Sequence, residues 1–130
     1  MRYYCNIRDN CYLAKNPNTP HKVLLSLLNE TDLTRYHLAT NPNLPKDILL
    51  NLSKDKSYIV RQCLAENINS PMNILLELSK DEHSYVQVAA KINLSKNSNT
   101  PTNVLIELSK DENIYIANNA RNNRLNRLVL

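Results

Sequence analysis

Cysteine and histidine, the residue types that most often do chemistry in proteins, are sparse in this sequence. The chain has three of each, namely Cys5, Cys11, Cys63, His21, His37 and His83. None of them falls at a metal-ligand spacing, and a nucleophile–base pair would need a histidine oriented by a third group. Because His21 lies in the first turn of an expected helix, it is predicted to face solvent, whereas His37 aligns with Cys63 at an inward position.

The carboxylates recur at fixed positions of a repeat instead of converging on one place. Glu77 and Glu107 occupy one position, and Glu82 and Glu112 another. Such repetition is typical of a solvated face and not of an acid–base pair. We therefore predict that the chain is not an enzyme, with no catalytic residue, no metal site and no cofactor.

The basic residues are the set that favours binding. Three lie in one register when counted back from Leu38, Leu64 and Leu94, and three more follow near the C-terminus; the predicted partner-binding residues are Arg35, Arg61, Lys91, Arg121, Arg124 and Arg127. A line of such side chains can follow phosphates or an acidic protein segment. The alternative is structural, since a basic side chain can instead pair with a neighbouring helix-capping aspartate.

Composition excludes several classes of protein. The 130 residues contain no glycine, phenylalanine or tryptophan but 21 asparagines, and the net charge is +4. Tight hairpins and phosphate-binding loops rely on glycine, so all-β folds and dinucleotide-binding folds are not expected. The N-terminus has no apolar segment of secretory length, and the cysteines are few and odd in number. These features predict a cytoplasmic protein that does not span a membrane.

An internal repeat predicts the architecture. The pattern Asn-x-Asn-x-Pro occurs at 16–20, 41–45, 67–71 and 97–101, and each copy is followed by the same leucine-rich stretch. The prolines are 25, 26 and 30 residues apart. We predict one repeat domain over 1–130, with a half repeat at 1–15, repeats at 16–40, 41–66, 67–96 and 97–120, and a cap or tail at 121–130. The fold class is an all-α, right-handed solenoid of about four helix pairs.

Each position that recurs from repeat to repeat has an expected structural role. Thr19, Ser70 and Thr100 are predicted to cap the first helix of a pair, with the next proline as its first helical residue. Leu44 breaks this rule, so its helix should be the least well capped. The residues expected to cap the second helices are Asp32, Asp55, Asp81 and Asp111.

Three further expectations concern packing. The four extra residues near Lys91 to Leu94 should lengthen a helix by about one turn. The asparagines of the repeat should bond the backbone between adjacent units, and Tyr58, Tyr85 and Tyr115 should pack between repeats. Leu125, Leu128, Val129 and Leu130 should fold back over the last repeat, although an open apolar end was the alternative.

The pattern resembles the leucine-rich-repeat-variant family over residues 12 to about 120. The resemblance is carried by the Asn-Pro-Asn-Thr-Pro motif, the short leucine-rich helix, and the segment Val-Arg-x-x-Leu-Ala at 60–65. It implies a right-handed superhelix in which α-helices alternate with shorter, often 3₁₀-type helices, similar at one remove to HEAT and armadillo arrays. One member of that family holds an iron–sulfur centre, but this chain has only three cysteines and a cubane cluster needs four thiolates.

Two functions follow as hypotheses. The first is a non-catalytic interaction module that presents an extended surface to a protein partner, possibly an acidic one. The second is a nucleic-acid-binding solenoid that uses the arginine and lysine register along the second helices. Neither hypothesis determines the oligomeric state.

Overall fold

The computed structural model describes residues 7–129, so the expectations about Cys5 and Leu130 lie outside it. Over these residues the chain forms nine α-helices and no strand, which confirms the all-α class. The helices are α1 (Ile7–Lys15), α2 (His21–Leu27), α3 (Asp32–Ala39), α4 (Lys46–Ser53), α5 (Tyr58–Glu66), α6 (Met72–Leu78), α7 (Ser84–Lys96), α8 (Thr102–Leu108) and α9 (Ile114–Leu128). The shorter helices after each Asn-x-Asn-x-Pro pattern are α-helical, and no 3₁₀ segment occurs in the range described.

The chain divides into two compact units, Met1–Ser70 and Pro71–Leu130. In the first unit α3 packs between α1 and α5, and the helices that follow the Asn-x-Asn-x-Pro patterns, α2 and α4, lie against them. Residues from each repeat enter its core, including Leu38, Ile48, Leu52 and Leu64, which are fully buried. Burial of one such side chain contributes roughly 1.5–3 kcal/mol.

In the second unit α7 packs against α9, α6 against α7, and α8 against both α7 and α9. Its core includes a cluster of apolar side chains to which all four helices contribute: Leu75, Leu94, Leu105, Leu108, Ile116 and Ala120. The long helices therefore neighbour one another in both units, and each short helix covers them.

The short helices begin differently from the sequence prediction. Pro20, Pro45, Pro71 and Pro101 are N-cap residues with extended backbone, and none of the four starts has a side-chain cap, so Leu44 does not mark the weakest one. The hydroxyls expected as caps are donors instead. Those of Thr19, Ser70 and Thr100 each donate, over 2.6 Å, to the carbonyl six residues earlier in the preceding helix.

The aspartates before the long helices also act one step earlier than expected. Asp55, Asp81 and Asp111 each accept a 2.9 Å bond from the amide two residues later, which forms a turn ahead of the helix. The N-cap residues are Ser57, His83 and Asn113. In the first repeat Thr31, and not Asp32, caps α3 by accepting from the Thr34 amide.

The asparagines of the repeat form the expected backbone bonds within each unit. The Nδ2 atom of Asn41 donates to the carbonyls of Ala14 and Asn16, at 2.8 and 3.0 Å. Asn67 donates in the same way to the carbonyls of Ala39 and Asn41. The second unit contains a similar arrangement, in which Asn123 donates to the carbonyls of Ser95 and Asn97.

Two helices are longer than the nine residues of α5. The 13 residues of α7 confirm that the four extra residues lengthen a helix by one turn, and Ala90 and Leu94 are both buried. Helix α9 has 15 residues, because it continues through Asn123 instead of turning there. This continuation carries Arg124 and the final leucines away from the repeat core.

Candidate functional site

Arg35, the first of the predicted binding residues, is held inside the first unit. Its Nε donates to Asp55 Oδ2 at 2.7 Å and its Nη1 donates to the Glu30 carbonyl at 2.8 Å, while Nη2 contacts Asp32. Only 11% of the Arg35 side chain and 6% of the Asp55 side chain are exposed. The hydrogen bond to Asp55 raises the pKa of Arg35, with Asp32 adding to the effect against the cost of burial.

Arg61 and Lys91 make related internal bonds. Arg61 Nη1 donates to the Asp55 carbonyl at 2.5 Å. Lys91 Nζ lies 3.2 Å from Asp111 Oδ2, with 33% of the lysine side chain and 16% of the aspartate side chain exposed. Pairing with the aspartate before the next long helix, the structural alternative, is therefore observed for Arg35 and Lys91. A partner-binding role for these three residues stays a prediction.

The three C-terminal arginines lie on α9, Arg121 just before its last two turns and Arg124 and Arg127 within them. Arg121 is exposed and donates to the Asn118 side chain and to the Ser109 carbonyl, both at 3.1 Å. Arg127 donates to the Ser98 carbonyl at 2.9 Å. Arg124 is exposed, and its side chain makes no hydrogen bond to any residue in the range 7–129. Among these three guanidinium groups, that of Arg124 is therefore the one left to solvent by the described part of the chain.

A cleft of about 350 Å³ lies beside these arginines. Its lining combines guanidinium groups with apolar side chains from the same helix and one residue of α8: Thr102, Arg121, Arg124, Leu125, Arg127 and Leu128. Leu125 is 58% exposed and Leu128 is 82% exposed. The prediction that the C-terminal leucines fold back over the last repeat is therefore wrong for Leu125, Leu128 and Val129. They stay in solvent because α9 remains helical up to Leu128.

A second cleft, of about 420 Å³, lies on the opposite side of α9. It is lined mostly by side-chain amides and hydroxyls, together with two cations: Ser95, Lys96, Ser98, Asn119, Asn122, Asn123, Asn126 and Arg127. Sequence reasoning missed this cleft. The available signal was the spacing of Asn119, Asn122, Asn123 and Asn126, which places them on one face of a helix.

The cysteines and histidines are dispersed. Cys11 and Cys63 are buried free thiols, and burial, helped by Glu66, raises the pKa of Cys63 to about 11. His21 faces solvent as predicted and lies 2.8 Å from Asp47, whose pKa it lowers. His37 is half-buried, which lowers its pKa. Within residues 7–129, no group of three or more cysteine, histidine, aspartate or glutamate side chains is placed to hold a metal ion.

The repeat tyrosines are less enclosed than packing between repeats suggests. Tyr85 and Tyr115 are more than half exposed, whereas Tyr58 is half-buried. The ammonium of Lys96 lies 4.9 Å from the centre of the Tyr115 ring, and Lys96, with a smaller contribution from Asn119, lowers the pKa of Tyr115. Tyr115 therefore borders the amide-lined side of α9.

Comparison with known proteins identifies no relative: no family model, no curated protein and no solved structure matches the chain. Among the helices described, none is both long and apolar enough to cross a bilayer.

Proposed function

We propose that the chain is a non-catalytic interaction module, an α-solenoid of the leucine-rich-repeat-variant type, that binds an acidic segment of a partner protein along the end of α9. The observation that carries this proposal is the exposure of Leu125 and Leu128 next to Arg121 and Arg124 around one cleft. A solenoid over residues 1–130 is supported by the sequence repeat and by the equivalent asparagine bonds inside each unit.

The mixed character of this cleft favours a protein partner. Exposed leucines lose contact with water only when another apolar surface covers them, and covering each contributes roughly 1.5–3 kcal/mol. Guanidinium groups at the rim select carboxylates, because each offers a planar fork of donors. Interface residues that dominate binding energy often include arginine.

Nucleic acid fits this surface less well. A phosphate backbone pairs with Arg121 and Arg124 but leaves Leu125 and Leu128 uncovered. Two members of the predicted basic register, Arg35 and Lys91, are in addition already paired with aspartates. These observations support the proposal of protein binding over that of a phosphate track.

The test is fluorescence anisotropy with a labelled peptide that alternates glutamate and leucine. The double variant R121E/R124E is expected to weaken binding at least about tenfold, since each charge-assisted hydrogen bond contributes about 1.5–3 kcal/mol. The matched control is K80E/K110E, which changes the net charge by the same amount at two exposed lysines outside the cleft.

Equal weakening by both variants would show that the peptide responds only to net charge and would reject the α9 site. A labelled single-stranded oligonucleotide provides the competing test. If it binds the protein and the peptide does not, the nucleic-acid hypothesis replaces the proposed one. Its affinity should then fall steeply between low and moderate salt.

A further inference from the structure

The second helices of the pairs (α1, α3, α5, α7 and α9) lie side by side, and one flank of α9 has no such neighbour in its unit. In the first unit α3 has a second helix on each side, α1 and α5, whereas in the second unit α7 and α8 pack on α9. The Asn123 side chain reaches the end of α7, and Leu125 lies about 200° further round the helix. The flank of α9 that carries Arg121, Arg124, Leu125 and Leu128, called here the free flank, is therefore turned away from α7.

One position of the second helices shows how covered flanks differ from the free flank. It lies two residues before the repeat asparagine and is held by Ala14, Ala39 and Ser95. All three are small and fully buried, and the carbonyl of each accepts from an asparagine side chain of the next repeat. Before Asn123 the same position is held by Arg121, which is exposed. Because a large side chain prevents so close an approach, the free flank is not shaped for a further copy of the repeat.

The charges of the free flank indicate what it is shaped for. Within each unit, a cation of one second helix pairs with the aspartate ahead of the next: Arg35 of α3 lies 2.7 Å from Asp55, and Lys91 of α7 lies 3.2 Å from Asp111. On α9, Arg124 makes no hydrogen bond to any residue in the range 7–129. A carboxylate from a neighbour would repeat here the pairing that both units contain.

The backbone of α9 offers little to an extended segment. Apart from its last turn, its amides and carbonyls bond within the helix, and residues 7–129 contain no strand to whose edge a segment could add. A helix instead packs its side-chain ridges into the grooves of another helix. Arg121, Leu125 and Leu128 are spaced i, i+4 and i+7, which is the spacing of a helix face that meets a second helix along its length.

We infer that the acidic segment bound at this cleft is an amphipathic α-helix, which lies along the free flank of α9 in the place of a further second helix. This inference rests on the proposed function and names the form of the partner segment. Leucines of the partner helix, spaced three and four residues apart, cover Leu125 and Leu128. Glutamates beside them bind Arg121 and Arg124.

The experiment compares two labelled peptides on the full chain by fluorescence anisotropy. Both contain the same numbers of glutamates and leucines; in one the leucines recur at i, i+3, i+4 and i+7, and in the other the two residue types alternate. The helical peptide is expected to bind at least about tenfold more tightly, because it presents its leucines and carboxylates on one side of a preformed helix. An internal proline, which breaks a helix, should remove that advantage.

Charge reversal locates the bound helix. R121E/R124E should weaken binding of the helical peptide at least about tenfold, whereas K80E/K110E, the control at two exposed lysines outside the cleft, should change it much less. A helical peptide with lysines in place of the glutamates should bind R121E/R124E more tightly than it binds the wild-type chain. A variant that had lost its fold would not show this gain.

If the alternating peptide binds as tightly as the helical one and R121E/R124E weakens it, the inference is overturned and the proposed function stands. The inference is overturned as well if the helical peptide binds more tightly but does not respond to R121E/R124E, since the helix then lies elsewhere. If the wild-type chain binds neither peptide, both the inference and the proposed function fail.

Discussion

Asn41 is fully buried although asparagine is polar, because both polar atoms of its side chain are hydrogen bonded. Its Nδ2 serves two carbonyls of the preceding turn and its Oδ1 serves the Asn43 amide. At the scale of the residue, this side chain joins two stretches of chain by hydrogen bonds, as backbone pairing joins the strands of a sheet. The two stretches have no regular backbone bonds to each other.

Replacement of Asn41 by alanine should lower the free energy of unfolding by about 2–4 kcal/mol, because two carbonyls and one amide each lose a hydrogen bond to the buried side chain. The measurement is equilibrium unfolding in urea. Asn18→Ala, at an exposed position of the same kind of turn, should change it by less than about 0.5 kcal/mol. Equal effects of the two substitutions would contradict the structural role given to the buried amide.

The ion pairs of the predicted binding residues differ in burial, so they should differ in energy. Arg35→Met leaves Asp55 charged and almost fully buried, and should cost about 3 kcal/mol. Lys91→Met removes an ion pair that is already partly in solvent, and should cost about 1 kcal/mol or less. Urea unfolding of both variants tests the order. A larger loss of stability for the lysine variant would contradict the larger energy expected for the buried Arg35–Asp55 pair.

The thiol of Cys63 should react slowly while the protein is folded. Burial raises its pKa from 9.0 to about 11, so the reactive thiolate is scarce until the pH approaches that value. The unfolded thiol ionises near its ordinary pKa and releases its proton first, so this group also makes unfolding easier as pH rises from about 9 towards 11. Alkylation of a Cys5→Ser/Cys11→Ser variant should therefore be much faster in urea than in buffer at pH 8.

At the scale of the element, the long helices begin in two ways, with a side-chain cap or without one. Asn113 caps α9 by accepting from the amides of Tyr115 and Ile116. Ser57 occupies the same position before α5, yet its side chain makes no cap bond. The Ser57 amide donates to Asp55 just as the Asn113 amide donates to Asp111, so the two turns differ only in the side-chain cap. A residue type that favours capping therefore does not by itself show that a cap is formed.

This difference predicts unequal effects of two alanine substitutions. Asn113→Ala should lower the free energy of unfolding by about 1 kcal/mol, the usual cost of a lost N-cap. Ser57→Ala should change it by only a few tenths of a kcal/mol, because no cap bond is lost. Thermal and urea unfolding followed by circular dichroism measure both. A cost near 1 kcal/mol for the serine variant would mean that its hydroxyl caps α5 in solution.

Helix length is the second feature at this scale. The extra turn of α7 keeps its apolar side chains on one face, since four residues come close to one 3.6-residue turn. In α9 the chain continues as helix after Asn123, whereas α5 and α7 end at the equivalent asparagines. Asn123 still donates from its side chain to the Ser95 carbonyl, and this bond leaves its backbone free to remain helical.

At the scale of the whole molecule, apolar residues divide into those that are buried in the fold and those that remain exposed. Leu105 is fully buried in the core of the second unit, whereas Leu128 is 82% exposed. Both are leucines on helices of that unit, so sequence type does not separate them. Their surroundings do.

Leu105→Ala should cost about 2–5 kcal/mol, because the lost contacts leave a cavity among side chains that can only partly close it. The double variant Leu125→Ser/Leu128→Ser should leave the free energy of unfolding within about 0.5 kcal/mol but weaken binding of the acidic peptide. Urea unfolding and anisotropy measured on the same samples separate the two effects. Strong destabilisation by the serine variant would show that these leucines cap the fold after all.

The periodic pattern of leucine, asparagine and proline was enough to predict the all-α class, the pairing of helices after each proline, the added turn in α7 and the asparagine bonds between turns. Each of these depends on which residue types recur at which spacing, and spacing can be read from one chain. The partner of each polar side chain was decided only by the tertiary structure. Thr19 turns back to the preceding helix, Arg35 meets an aspartate 20 residues away, and Leu128 remains in solvent. Those outcomes depend on distances and side-chain directions that exist only once the helices have packed, so no local pattern carries them.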